Sequence, residues 1–390
     1  MQSLPDEIIY HMLNYLEKTS DVMHFSLSNK FYRNLVLSNK DAFKCVTKIK
    51  NKYLNQMDKL DIIGGVKVKF EGKINQLKNL HKIYELDLSD NENIVDVSML
   101  RGVKKLNLSE CINVTDVSML GGVEELNLTG CINVTDVSKL GKVKKLVLKR
   151  CIGVTDVSML GDVQELNLSE CEGITDVSML GRVKKLDLSY CYDVADVSML
   201  GDVEELNLSS CEGITDVSML GRVKNLDIGG CFKVKDVSML GSVEKLDISA
   251  CNGVTDVSML GRVKKLNIAG CCKVTDVSML GCVKELDLTR CDGVTDVSKL
   301  GKVKKLILRD CIGVTDVSML GGVDELDLTR CNGVKDVSKL GKVRKLNISE
   351  CNGVKDVSML GSVVELNISD CRNLKGVSKL KKVKKLIRSL

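Results

Sequence analysis

A 20-residue unit repeats along more than three quarters of this chain without a change of phase. One copy reads LNLSECINVTDVSMLGGVEE, from Leu106 to Glu125. Its Leu-x-Leu/Ile pair recurs from Leu86-Asp87-Leu88 to Leu366-Asn367-Ile368, with partial copies at Val66-Lys67-Val68 and Leu386-Ile387. A period of this length marks a solenoid, because one unit buries almost nothing alone and a stack of units buries a continuous core. The repeat therefore fixes the architecture and tilts the function toward binding.

Within one unit, Val103, Leu106 and Leu108 alternate as a short strand does. Cys111, Val114, Val117 and Leu120 follow at a spacing of three, which suits a tight turn or a 3-10 segment. Thr115 and Asp116 are placed to cap that segment with side-chain oxygens. Gly121 ends it, and its backbone freedom is expected to let the chain turn back. The predicted fold is a solenoid with a parallel sheet on the concave face and short 3-10 or turn segments on the convex face. Asparagine or aspartate fills the strand centre in most copies, and Val147 and Ile307 are the exceptions, both in repeats rich in Lys and Arg.

Seventeen cysteines would ordinarily suggest disulfides or metal, but fourteen of them, Cys111 to Cys371, take one position in successive repeats. Small thiols suit a tight inner corner, so a buried structural column is the leading reading. Disulfides and metal are the alternatives, and with only three histidines zinc lacks its common nitrogen ligands. No cofactor is implied. Each candidate acid recurs as a repeat position, there is no glycine-rich phosphate loop, and no triad stands out, so the chain is not read as an enzyme.

The two residues before the strand leucine alternate in sign: Lys104-Lys105, Glu124-Glu125, Lys144-Lys145, Gln164-Glu165, Lys184-Lys185, Glu204-Glu205. Neighbouring strands thus set opposite charges side by side. The face is largely self-neutralised and the net charge is only +5, which argues against nucleic acid as the partner. Target-binding residues are sought where the repeat varies. In the column before each cysteine these are Arg150, Tyr190, Arg290 and Arg330, with Tyr192 beside Tyr190. Arginine and aromatics are favoured interface anchors, and ordinary surface variation is the competing reading. The end of the chain carries six positive charges from Lys379 to Arg388, as a solvated end or a contact for an acidic partner or nucleic acid.

The first sixty residues do not obey the repeat and hold seven of the twelve aromatics. Residues 1–46 read as a compact helical module, 47–65 as a linker or irregular cap, and 66–390 as the solenoid, degenerate at both ends. Leu4-Pro5-Asp6-Glu7 opens a helix, with Pro5 in its first turn and Ile8, Ile9, Met12, Leu13 and Leu16 on one apolar face. No run of 18 apolar residues suggests a membrane span, and the acidic start does not resemble a signal peptide. A reducing cytoplasmic or nuclear setting is expected.

The segment LPDEIIYHMLNYLEKTSDVMHFSLSNKFYRNL resembles an F-box, with Leu27 and Phe31 where the family has valine and commonly tryptophan. The C-x-x-[VI]-T-D signature, Cys111 to Asp116 here, resembles cysteine-containing leucine-rich repeats, which are usually about 26 residues long. The layout is similar to that of F-box/leucine-rich-repeat proteins of amoeba-infecting giant viruses, which would imply a host–virus role in host cytoplasm. The resemblance implies a substrate-recognition subunit of an SCF-type cullin-RING ubiquitin ligase. Leu4, Pro5, Ile8, Ile9, Leu13 and Leu16 would contact a Skp1-like adaptor, and the repeats would hold the target protein. The alternatives are a helical cap on the solenoid and a plain repeat scaffold with no ligase role.

Overall fold

The computed structural model describes residues 83–372 and 374–389, together with the backbone of Val46–Thr47 and Val66–Lys69. The helical module and the six adaptor-binding positions expected within it lie outside the described residues. So does nearly all of the expected linker. The chain divides into two units, 1–174 and 175–390.

In the first unit, Val46–Thr47 pairs in parallel with Val66–Lys69, and that strand pairs with Ile83–Asp87 across a register shift. Three-residue strands then follow every 20 residues, Lys105–Asn107, Glu125–Asn127, Lys145–Val147 and Glu165–Asn167. Each pairs in parallel with the next, leucine on leucine. The second unit runs from Lys185–Asp187 to Lys385–Ile387 in the same way, with Leu226 on Leu246 and Leu306 on Leu326. Parallel strands need a crossover. Here the crossover is the rest of the coil, and it contains one 3-10 turn instead of an α-helix. This is a leucine-rich-repeat type of solenoid.

The coil closes because each apolar residue reaches the interior. Leu108, Cys111, Val114, Val117, Leu120 and Val123 are all buried. Three-residue backbone bonds link the corners: Cys111 N donates to Leu108 O (3.1 Å), Val114 N to Cys111 O (3.1 Å) and Val123 N to Leu120 O (3.0 Å). Asp116 Oδ1 accepts from Ser118 N at 2.9 Å and sets the Ser118–Leu120 turn. Thr115 is exposed. The backbone-N–H bond is the main cause that lowers the carboxyl pKa of Asp136 and, in the second unit, of Asp196, Asp216, Asp236, Asp256, Asp276 and Asp296. A carboxylate engaged in this way is a structural cap.

The glycine after each turn has another reason than the one expected from sequence. Gly201 sits at φ −61°, an ordinary right-handed value open to any residue. Space excludes a side chain there, since a Cβ would lie 2.5 Å from the backbone oxygen of Met219 in the next coil. The left-handed residue of the coil is instead the one before each cysteine. Glu110, Arg150, Tyr190, Ser210, Ala250, Arg290, Asp310, Arg330, Glu350 and Asp370 all hold φ between 56° and 61°. Only Gly130, Gly230 and Gly270 relax that column. A left-handed non-glycine residue costs roughly 1–2 kcal/mol, partly offset by the greater unfolded entropy of glycine. Arg290→Gly is accordingly expected to raise stability by about 0.5–1 kcal/mol, read as a higher urea midpoint. An unchanged or lower midpoint would contradict the strain.

Candidate interaction surface

The cysteines form the structural column. Each Sγ donates to the backbone oxygen 23 residues earlier, as Cys131 to Leu108 (3.1 Å) and Cys251 to Ile228 (3.2 Å). Burial pushes the thiols up, to about 11 at Cys231 and Cys271 and about 12 at Cys311 and Cys351. A protonated, enclosed thiol is a poor ligand and a poor nucleophile. Among the described residues, no group of three or more His, Cys, Asp or Glu could hold a metal ion.

On the sheet face, the expected charge pairing is largely present. In the first unit Lys105 meets Glu125, Lys144 meets Glu124 at 3.0 Å and Lys145 meets Glu165 at 3.2 Å. In the second, Lys264 meets Glu244 at 3.0 Å and Lys345 meets Glu325 at 3.0 Å. These exposed pairs contribute about 0–1 kcal/mol each. Their larger effect is to leave few uncommitted charges.

The candidate residues separate on that criterion. Arg150 lies 3.4 Å from Glu110 and 3.9 Å from Glu170, and Arg330 reaches Glu350 at 2.9 Å. Both guanidinium groups are committed within the chain. Arg290 is held only loosely, its Nε 3.9 Å from Asp310. Tyr190 and Tyr192 are exposed and meet edge to face, ring centres 6.4 Å apart at 83°. The structure therefore joins the two tyrosines to each other, and Arg290 and Arg330 both feel the carboxylate of Asp310.

A feature that sequence reading noted without assigning it to a site is the strand centre at Ile307. Where that position is Asn or Asp, its Oδ1 accepts the amide two residues on: Thr289 N to Asp287 (2.8 Å), Thr329 N to Asp327 (2.9 Å), Ser349 N to Asn347 (3.0 Å). Ile307 has no acceptor to offer Arg309. It faces outward, half-buried, between Asp287 and Asp327 in register. Arg309 Nε bonds Asp327 at 2.7 Å. Lys264, Lys284 and Lys304 occupy adjacent strands in one column, shown by Lys284 N to Lys264 O and Lys304 N to Lys284 O, 3.0 Å each. Glu244 engages Lys264, while Asp324 and Glu325 beyond Lys304 and Lys305 are taken by Arg344 and Lys345. Lys284, Lys304 and Lys305 make no ion pair among the described residues. The corresponding Val147 in the first unit differs, since Lys144, Lys145, Lys149 and Arg150 around it are all paired.

No family model matches the chain, and no curated protein matches it. Among solved structures, it is similar to an internalin (inlF) of Listeria monocytogenes, with 19% identity and a TM-score of 0.50 over 79% of this chain and 87% of that one. The functional domain of InlJ from the same organism, which includes a cysteine ladder, is 20% identical over 74% of each chain, with a TM-score of 0.45. The leucine-rich-repeat protein LIC12759 of Leptospira interrogans is 14% identical over 91% of this chain and 97% of that one, with a TM-score of 0.48. At such identity the internalin likeness is one of fold alone. The expected ubiquitin-ligase subunit is overturned by these findings: no family model, an F-box model included, matches, and the similar structures share the solenoid only. The physical reason for the error is that four or five apolar residues at helical spacing fit any small helical cap as well as an F-box. The viral and host-cytoplasm reading fell with it.

Proposed function

We propose that the chain is a non-catalytic protein-interaction module that holds an acidic segment with an apolar side chain on the sheet face at Ile307. The observation that carries this is local. At Ile307 the repeat gives up a turn hydrogen bond, of order 1 kcal/mol, to present an aliphatic side chain on the face that carries Lys305. Its strand is entered at Lys304 and lies next to the one entered at Lys284, and none of these lysines makes an ion pair among the described residues. Acids interleave on every neighbouring strand, so a continuous phosphate backbone fits poorly, and a short peptide carboxylate cluster fits well. Arg290 lies in the adjoining coil and extends the basic side. Tyr190 and Tyr192 offer a second, aromatic anchor. The protonated thiol column suits a reducing compartment.

Selection of peptides from a random displayed library against the intact chain tests this. Ligands rich in Asp and Glu with a large apolar residue are expected, their binding weakening as salt rises. Recovery of only basic or uncharged ligands, or ligands indifferent to salt, would contradict the proposal.

A further inference from the structure

Most coils of the second unit expose one thioether. Their 3-10 turns open Ser-Met-Leu, as at Ser198–Leu200 and Ser258–Arg262. The leucine is buried, and the serine amide is bonded to the preceding aspartate, 2.9 Å for Ser198 on Asp196 and 2.8 Å for Ser258 on Asp256. The methionine between them faces out. Met179, Met199, Met219, Met239, Met259, Met279, Met319 and Met359 are each 60–64% exposed. Coils stacked through parallel strands repeat about every 4.8 Å, so these side chains form a row. The row is unbroken from Met179 to Met279, and Lys299, Lys339 and Lys379 take the same place in three later copies. The position therefore tolerates a long side chain of any polarity, and the core does not use the methionine.

The chain thus holds its sulfur in two populations. The column thiols are enclosed and kept protonated by burial. Their reactive form, the thiolate, is suppressed. The thioethers are open and need no ionisation to react. We propose that the methionine row is an oxidant-accepting modification site, whose co-reactant is a peroxide. A lone pair on Sδ attacks one peroxide oxygen, the O–O bond breaks, and an S–O bond forms. The other oxygen leaves as hydroxide and recovers a proton as water. Sulfur loses two electrons and hydrogen peroxide is reduced to water, giving methionine sulfoxide. Because these side chains are mostly exposed and lie outside the buried core, the row changes from apolar to polar while the stack beneath it stays intact. This inference is independent of the partner reading.

The test uses the full chain with Cys45, Cys272 and Cys282 changed to serine, since Cys272 and Cys282 are exposed and would react on their own account. The protein is treated with hydrogen peroxide, quenched with catalase, unfolded, alkylated and mapped by peptide mass. Met199 to Met279 are expected to gain about 16 Da each, at least tenfold faster than any column cysteine loses its alkylation, with the circular dichroism unchanged. A second variant, Met219→Lys, Met239→Lys and Met259→Lys, copies the chain's own lysines. It is expected to fold and to lose three of those gains. Oxidation of column thiols at a comparable rate would overturn the proposal, and so would loss of the fold in step with sulfoxide formation.

Discussion

Gly201→Ala is expected to lower stability by about 2 kcal/mol, although its backbone angles would suit alanine. At φ −61° a glycine-to-alanine change ordinarily gains about 0.4–1 kcal/mol through the unfolded chain. Here the new Cβ would stand 2.5 Å from the backbone oxygen of Met219. A backbone atom cannot swing aside as a side-chain end can, so the two coils must separate. Overpacking of this kind costs roughly 1–3 kcal/mol. In a stack held by nearest-neighbour contacts the loss falls on one interface. Gly230→Ala is the comparison. Its φ is +78°, and the Cβ would meet Ser210 Oγ at 3.0 Å, with the Ser210 backbone at an ordinary 3.5 Å. Ala250 already holds that conformation in the same column. A smaller loss, about 1 kcal/mol, is expected there. Urea denaturation of the two variants decides the matter. A neutral or stabilising Gly201→Ala would show that the coils are not in contact at that point.

Raising the pH above about 9 unfolds the second unit steeply. A thiol is neutral when protonated, and the folded column keeps its protons to higher pH than the unfolded chain does. Cys231 and Cys271 hold theirs to about 11 and Cys311 and Cys351 to about 12. Burial also raises Cys211, Cys251, Cys291 and Cys331. Below pH 9 both states are protonated and stability does not depend on these groups. Between 9 and 11 the unfolded chain releases protons that the folded one retains, so stability falls. At pH 10 the loss is on the order of 1 kcal/mol per thiol. Summed over these eight it is on the order of 10 kcal/mol, comparable with the whole stability of a domain. Circular dichroism across pH 8–11 should show a sharp transition. Changing Cys211, Cys231 and Cys251 to serine removes three titrating groups and is expected to make it shallower. The same steepness in both proteins would place its origin in exposed lysines instead of the column.

Much of the solenoid was legible in the spacing of its apolar residues. Alternation at Val103, Leu106 and Leu108 marks the strand, and spacing of three from Cys111 to Leu120 marks the corners and the 3-10 turn. Which residue is left-handed was not legible, because Glu110, Arg150 and Tyr190 carry no chemical sign of it. The pressure on Gly201 comes from a backbone atom in another coil, and a composition rule for turns points to the wrong cause. For the interaction surface, the alternating charges were visible in sequence, but the commitment of Arg150 and Arg330 to acids in neighbouring coils needed three dimensions. Ile307 was visible as an exception. Its meaning required the hydrogen bond that its asparagine and aspartate counterparts make.

The most direct measurement of the account is a variant that restores the repeat at that exception, Ile307→Asn with Lys284→Glu. Asparagine regains an acceptor for Arg309 N, and glutamate at 284 restores the alternation between Lys264 and Lys304. Urea denaturation is expected to show equal or higher stability, by up to about 1 kcal/mol. Affinity for a selected acidic peptide is expected to fall at least tenfold. Unchanged affinity in a variant that folds this well would contradict a binding site at Ile307.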